Sequence, residues 1–225
     1  MNNRHLTDKE NHAEHNLINK IGFWSALLSA FFYVIFDIVA IITMSGLLTS
    51  QFWISILTYT PSLFIALSFV ILMVSVHYYA PSELKIWSHI GMALAGIYAT
   101  LNCFIYIIQI LVIAPSFLNG LFDNVALFEM APNKPLYAAN ALAYSIMGLS
   151  TLFSAFIFKG RGLAKITKSV LIIHGAVAPT IIGVLIWKPL FFVSASVGIT
   201  YPLAAILIAV LFHEGSSTKS KLSQT

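Results

Sequence analysis

Long runs of apolar residues alternate with short polar segments along the whole chain. A helix needs about 20 apolar residues to cross the hydrocarbon core of a bilayer, and six runs have this length. We therefore predict an all-α fold, a polytopic transmembrane bundle of six spans. The expected spans are roughly 21–47, 57–79, 86–114, 137–158, 166–187 and 190–212.

The polar segments divide the chain into three regions. We predict a polar cytoplasmic tail over residues 1–20 and a six-helix transmembrane domain over 21–213. We predict a disordered cytoplasmic tail, rich in Ser and Lys, over 214–225. One connection is long, an outer loop over 115–136 that mixes apolar side chains with Pro, Asn and Asp. So many apolar residues favour a loop folded over the bundle, with a plain connector as the alternative.

Basic residues indicate how the spans are oriented, because cytoplasmic loops carry an excess of Lys and Arg. Ten of the twelve Lys and Arg residues lie in segments that share one side of the membrane when the N-terminus is inside. Only Lys134 and Lys188 fall on the other side. We therefore predict that both termini are cytoplasmic.

Composition supports a membrane environment and argues against several other classes of protein. The chain is 59% hydrophobic and 9% charged, whereas a soluble domain carries about 25% charged residues. The net charge is +4, but the chain has no soluble domain that could present a basic face to nucleic acid. We therefore expect the basic residues to contact anionic lipid and expect no nucleic-acid binding. The single cysteine, Cys103, excludes an intrachain disulfide.

A carboxylate inside a span is the clearest candidate for function. Asp37 is the one acidic residue within a predicted span, and a charge near the bilayer centre costs about 2.5–3.5 kcal/mol on insertion scales. Asn102 and Tyr201 lie at a similar depth, and Tyr33 is one turn from Asp37. We predict a polar midplane site formed by Asp37, Asn102, Tyr201 and Tyr33. The alternative is a neutral Asp37 that only joins helices through a hydrogen bond to Asn102 or Tyr201.

Four histidines form a second candidate group, because His77, His89, His174 and His213 all fall in the predicted cytoplasmic half. Imidazoles can ligate zinc or haem iron. The sequence lacks a close pair of ligands on one helix turn, so a metal site is the weaker hypothesis. We find no phosphate-binding glycine loop, nucleophile elbow or Cys-x-x-Cys. These observations favour a protein without a cofactor and without enzymatic activity.

Proline and glycine residues predict breaks and close contacts in the later spans. Pro179 and Pro202 lie inside the fifth and sixth spans, and each removes a helix donor and tends to kink its helix. Gly175 and Gly183 share a thin face of span 5 with Pro179, and Gly91 offers a similar face in span 3. Such faces allow neighbouring helices to approach closely.

Four stretches carry a resemblance to other proteins, namely 22–26, 77–80, 108–120 and 144–150. Through them the chain resembles a group of small bacterial integral membrane proteins with six spans and no established activity. The resemblance implies a bacterial cytoplasmic membrane and a shared helical fold. It assigns no catalytic residue.

Three functions are compatible with these features. The favoured hypothesis is a small permease-like or transport-associated subunit that handles a small or amphipathic solute at Asp37. The alternative is a non-catalytic regulatory, immunity or scaffold protein. A membrane enzyme or haem or metal protein that uses the histidines ranks third. The expected partners are the lipid bilayer, a small-molecule solute, and further copies of this chain or other subunits.

Overall fold

A computed structural model describes the backbone of residues 2–222 and the side chains of residues 13–215. Within this part the chain is helical and has no β-strand, which confirms the all-α prediction. The α-helices are α1 (Asn2–Met44), α2 (Gln51–Tyr79), α3 (Lys85–Ile108), α4 (Ala114–Asn119), α5 (Phe122–Val125), α6 (Pro135–Ala155), α7 (Leu163–Val177), α8 (Thr180–Gly183), α9 (Phe191–Ser194) and α10 (Val197–Leu222).

Six helical segments of the described chain are long and apolar enough to cross a membrane, which confirms the six-span prediction. They are Ala13–Met44, Gln51–Tyr79, Ser82–Asn119, Pro135–Ala155, Leu163–Gly183 and Lys188–Gly215. We call the side that bears the connections 45–50, 120–134 and 184–187 the loop face, and the side that bears 80–81 and 156–162 the terminal face. Placement of the terminal face in the cytoplasm stays a prediction.

The spans pack against one another in chain order. Helix α1 packs on α2, α2 on α3, α3 on α6, α6 on α7 and α7 on α10, and α10 returns to pack on α1. The six spans therefore form a closed ring, in which each span has two neighbours.

Two glycines allow the close contacts that the sequence predicted. A Cβ atom on Gly175 of α7 would lie 2.7 Å from the carbonyl oxygen of Gly148 and 2.9 Å from Cα of Leu152, both on α6. On α3, the carbonyl of Gly91 accepts a hydrogen bond of 2.6 Å from Ser150 Oγ of α6. Both contacts bring backbones together in the way that small residues do in membrane helices.

The fifth and sixth spans are interrupted on the loop face. Helix α7 ends at Val177 and α8 begins at Thr180, so the predicted break at Pro179 is confirmed. Pro202 lies inside α10, which continues through it. The sixth span begins at Lys188, close to the predicted start, but its long helix α10 begins only at Val197, after short α9 ends at Ser194. The hydroxyls of Ser194 and Ser196 donate hydrogen bonds to the backbone carbonyls of Phe191 and Val193, three residues earlier, and such local bonds compete with helix propagation.

The loop after the third span is ordered. Helix α3 passes into a π-helical turn over Gln109–Ile113, from which the buried Gln109 donates a hydrogen bond of 2.6 Å to the carbonyl of Phe128. Phe117 and Phe122 stack with ring centroids 4.5 Å apart. These contacts fold the loop back against the end of the third span.

Helical backbone extends into both segments that were assigned to tails. Helix α1 begins at Asn2, inside the predicted tail 1–20, and α10 continues to Leu222, inside the predicted disordered tail 214–225. No Gly or Pro separates Asn2 from the first span, so helix propagation meets no breaker there. Residues 223–225 lie outside the described part.

Candidate functional site

An aromatic side chain from every span fills the interior of the ring. We call these six residues the aromatic layer: Tyr33, Phe69, Tyr98, Tyr144, His174 and Tyr201. All except the partly buried Tyr144 are buried. Centroid separations are 4.9 Å for Tyr33–Tyr201, 5.9 Å for Phe69–Tyr201, 5.4 Å for Phe69–Tyr98, 5.7 Å for Tyr98–Tyr144 and 5.5 Å for His174–Tyr201. Aromatic pairs at 4.5–7 Å add about 0.5–1.5 kcal/mol each beyond area burial, so the layer ties the spans together.

Polar contacts fasten the aromatic layer to α10. The hydroxyls of Ser29 and Tyr201 share a short hydrogen bond between α1 and α10. His174 Nδ1 lies 3.0 Å from Thr200 Oγ1, which joins α7 to α10. The other ring nitrogen of His174, Nε2, is buried and has no hydrogen-bond partner among the described residues. Helix α10 is therefore held from two sides, by α1 through Tyr201 and by α7 through Thr200.

A polar network joins α3 to α6 beside the aromatic layer. Asn140 Nδ2 donates to Asn102 Oδ1 at 3.0 Å and to the Tyr106 hydroxyl at 3.2 Å. The Tyr106 hydroxyl donates in turn to the Tyr144 hydroxyl at 3.0 Å. This network connects the amide pair of buried Asn102 and partly buried Asn140 to a member of the aromatic layer.

Asp37 lines a cavity of about 490 Å³ in the loop-face half of the bundle. The walls come from α1, α8, α9 and the start of α10, and the lining includes Tyr33, Tyr144, Ile181, Phe191 and Gly198. Asp37 is partly buried, and its carboxylate has no ion pair or hydrogen bond with a described residue. We call this space the Asp37 cavity.

A glycine lets α10 pass close to the Asp37 carboxylate. A Cβ atom on Gly198 would lie 3.2 Å from Oδ1 of Asp37, tighter than most Cβ contacts. Any larger residue at 198 would press on the carboxylate, so Gly198 helps to keep it open to the cavity.

The predicted midplane residues do not form a single site. Tyr33 contacts Tyr201 and shares the cavity with Asp37, whereas Asn102 belongs to the network between α3 and α6. Tyr144 joins the two groups, because it lines the cavity and accepts the Tyr106 hydrogen bond. The described hydrogen bonds include none from Asp37 to Asn102 or Tyr201.

Sequence reasoning missed Tyr144, Asn140 and Tyr106. A signal was present, because Asn140 and Tyr144 are four residues apart on one helix and Asn102 and Tyr106 four apart on another. Side chains with this spacing share a helix face. Two such pairs on consecutive spans are typical of a polar seam.

The four histidines do not converge, so the prediction of a shared metal site is wrong. His77 and His89 lie near each other, with centroids 5.4 Å apart, but His213 packs against Phe23 and His174 lies in the aromatic layer. No group of three or more His, Cys, Asp or Glu among the described side chains could hold a metal ion. The reason is geometric, since His174 and His213 pack against different helices from the His77–His89 pair.

Comparison with known proteins adds no family assignment. Neither a family model, a curated protein nor a solved structure matches the chain. The resemblance to small bacterial membrane proteins therefore stays a prediction.

Proposed function

We propose that this six-span membrane protein is a small permease-like or transport-associated subunit that binds a solute in the Asp37 cavity. The observation that carries the proposal is the carboxylate of Asp37, which lines the cavity without a described partner. An acidic group inside a span is costly in a bilayer, and such groups mark solute or ion pathways by default.

The groups around the cavity favour one class of solute. The carboxylate accepts hydrogen bonds or pairs with a cation, and the aromatic faces of Tyr33 and Tyr144 can attract the same positive charge. Ile181 and Phe191 supply apolar surface nearby. We therefore expect a small amphipathic solute with a cationic or hydrogen-bond-donating head and an apolar body.

The proposed path for the solute begins on the loop face. The aromatic layer separates the Asp37 cavity from the terminal face, so passage requires a change in that layer. Short helices α8 and α9 border the cavity, and discontinuous helices beside a binding site are a common feature of transporters. We infer that these two helices move when the solute passes.

Replacement of Asp37 tests the proposal with benzylamine as the cationic probe and benzyl alcohol as its neutral counterpart. We expect Asp37→Asn to weaken benzylamine binding about tenfold or more, since a hydrogen bond to a charged group contributes about 1.5–3 kcal/mol. Isothermal titration in nanodiscs measures the loss. Asp123→Asn, on an exposed loop residue, is the matched control and should bind as the parent does.

Unchanged benzylamine binding in the variant would contradict the proposal. If the Asp37→Asn protein is monodisperse and binds benzylamine like the parent, Asp37 has no part in solute binding. Preference for benzyl alcohol over benzylamine in the parent protein would also contradict the proposed solute class.

A non-catalytic regulatory, immunity or scaffold role is the second candidate. The filled aromatic layer favours it, because a bundle that only holds a partner needs no open path through its interior. Under this role neither probe binds at the Asp37 cavity, and uptake into proteoliposomes equals that of protein-free vesicles.

A further inference from the structure

A second cavity, of about 700 Å³, opens on the loop face. It lies between the start of α6 and the segment that follows α8. Its lining includes Lys134, Tyr137, Val184, Leu185, Lys188 and Phe191. Phe191 also borders the Asp37 cavity, so the two spaces are neighbours.

The only two basic residues predicted for the loop face both line this cavity. Lys134 is partly buried and Lys188 is exposed. Neither lysine has an ion pair or side-chain hydrogen bond among the described residues. The salt bridge found among those residues is Lys159–Glu83, on the terminal face. Two unpaired ammonium groups at one cavity create a positive potential that an anion would neutralise.

The remaining lining is suited to a hydrocarbon chain. Val184, Leu185 and Phe191 present apolar side chains to the cavity. The exposed Trp187 lies next to Lys188 in the chain, and tryptophan is enriched at the level of the lipid headgroups. The lysines therefore lie where the headgroup of a phospholipid would meet its acyl chains.

We propose that the Lys134–Lys188 cavity binds an anionic phospholipid, with its phosphate between the two ammonium groups and one acyl chain along Val184, Leu185 and Phe191. Charge complementarity selects the headgroup, and the apolar lining favours a lipid over a free anion. Basic pockets between spanning helices on the cytoplasmic side bind anionic headgroups in this way, and the same charge pairing operates in a cavity on the loop face. The proposal is independent of solute binding at Asp37.

Native mass spectrometry of the full chain with equimolar phosphatidylglycerol and phosphatidylcholine tests the proposal. We expect the parent protein to retain phosphatidylglycerol in preference, and Lys134→Gln with Lys188→Gln to lower that preference about tenfold or more. The matched control is Lys85→Gln with Lys165→Gln, on exposed lysines of the terminal face, which should keep most of the preference because surface lysines meet only the lipid headgroup. Lys134→Arg with Lys188→Arg should keep it too, because the charges remain.

Three results would overturn the proposal. One is an unchanged preference for phosphatidylglycerol in the Lys134→Gln, Lys188→Gln variant. Another is an equal loss of that preference in the Lys85→Gln, Lys165→Gln control. The third is complete displacement of phosphatidylglycerol by millimolar inorganic phosphate, which would indicate a site for free anions. Asp37→Asn separates this site from the solute site, since it should leave the lipid preference unchanged.

Discussion

At the scale of single residues, small side chains determine how closely the spans approach. Gly175 places α7 directly against the backbone of α6, whereas Gly96 of α3 faces open space, with no atom within 4 Å of a Cβ built there. The two glycines are both helical and differ in their surroundings, so they form a matched pair for mutagenesis.

We predict that Gly175→Ala destabilises the protein by about 1–3 kcal/mol, the usual cost of overpacking. The added methyl group would meet backbone atoms of Gly148 and Leu152, which cannot rotate away. Gly96→Ala should be neutral or stabilise by up to about 1 kcal/mol, because alanine is the better helix former. Unfolding in mixed micelles measures both changes, and equal effects of the two variants would contradict the role given to Gly175.

Sequence reasoning identified part of the candidate site at this scale. Asp37 could be found because a carboxylate is conspicuous in an apolar run. Tyr144 was missed because a tyrosine in a span is unremarkable until its neighbours are known. The histidines show the opposite error, since depth along a span is predictable but the direction of a side chain around the helix is not.

At the scale of elements, the third span ends in a π-helical turn that holds the following loop. The π turn carries Gln109, whose amide reaches the carbonyl of Phe128 across the loop. No pattern in the sequence predicts this turn. Pro179, in contrast, did predict the break between α7 and α8, but the missing donor alone is not sufficient, because α10 continues through Pro202.

We predict that Gln109→Leu loosens the loop after the third span. Leucine keeps most of the volume of glutamine but cannot donate to Phe128, so the loop loses its anchor. Chymotrypsin should then cleave at the loop aromatics several times faster than in the parent protein. Thr100→Val is the control, because Thr100 is exposed and bonds only the Gly96 carbonyl of its own helix; similar acceleration in both variants would refute the anchor.

At the scale of the whole molecule, short connections account for most of the ring. Neighbouring spans with brief links have to pack side by side, so their order could be anticipated from hydropathy alone. The contact of α1 with α10 could not, because it joins the first span to the last. It depends on particular side chains, such as Ser29 with Tyr201 and Gly22 against Phe212.

We predict that the loop face is outside the cell, as the basic residues indicate. In a Cys103→Ala background, Asn124→Cys should react with a membrane-impermeant maleimide in intact cells, and Ser82→Cys should react only after the cells are opened. Asn124 and Ser82 are both exposed and lie on opposite faces, so reactivity reports their side of the membrane. The reverse labelling pattern would invert the topology.

The contact of α1 with α10 also has a consequence for biosynthesis. Spans leave the ribosome in order, and five of the six contacts between neighbouring spans join consecutive spans, which can form soon after the second partner enters the membrane. Until the last span is inserted, Ser29 and Tyr33 of the first span lack Tyr201, their partner on α10. We therefore expect ring closure to be the last step of assembly, and a chain truncated before the sixth span to be degraded faster in the membrane than the full chain.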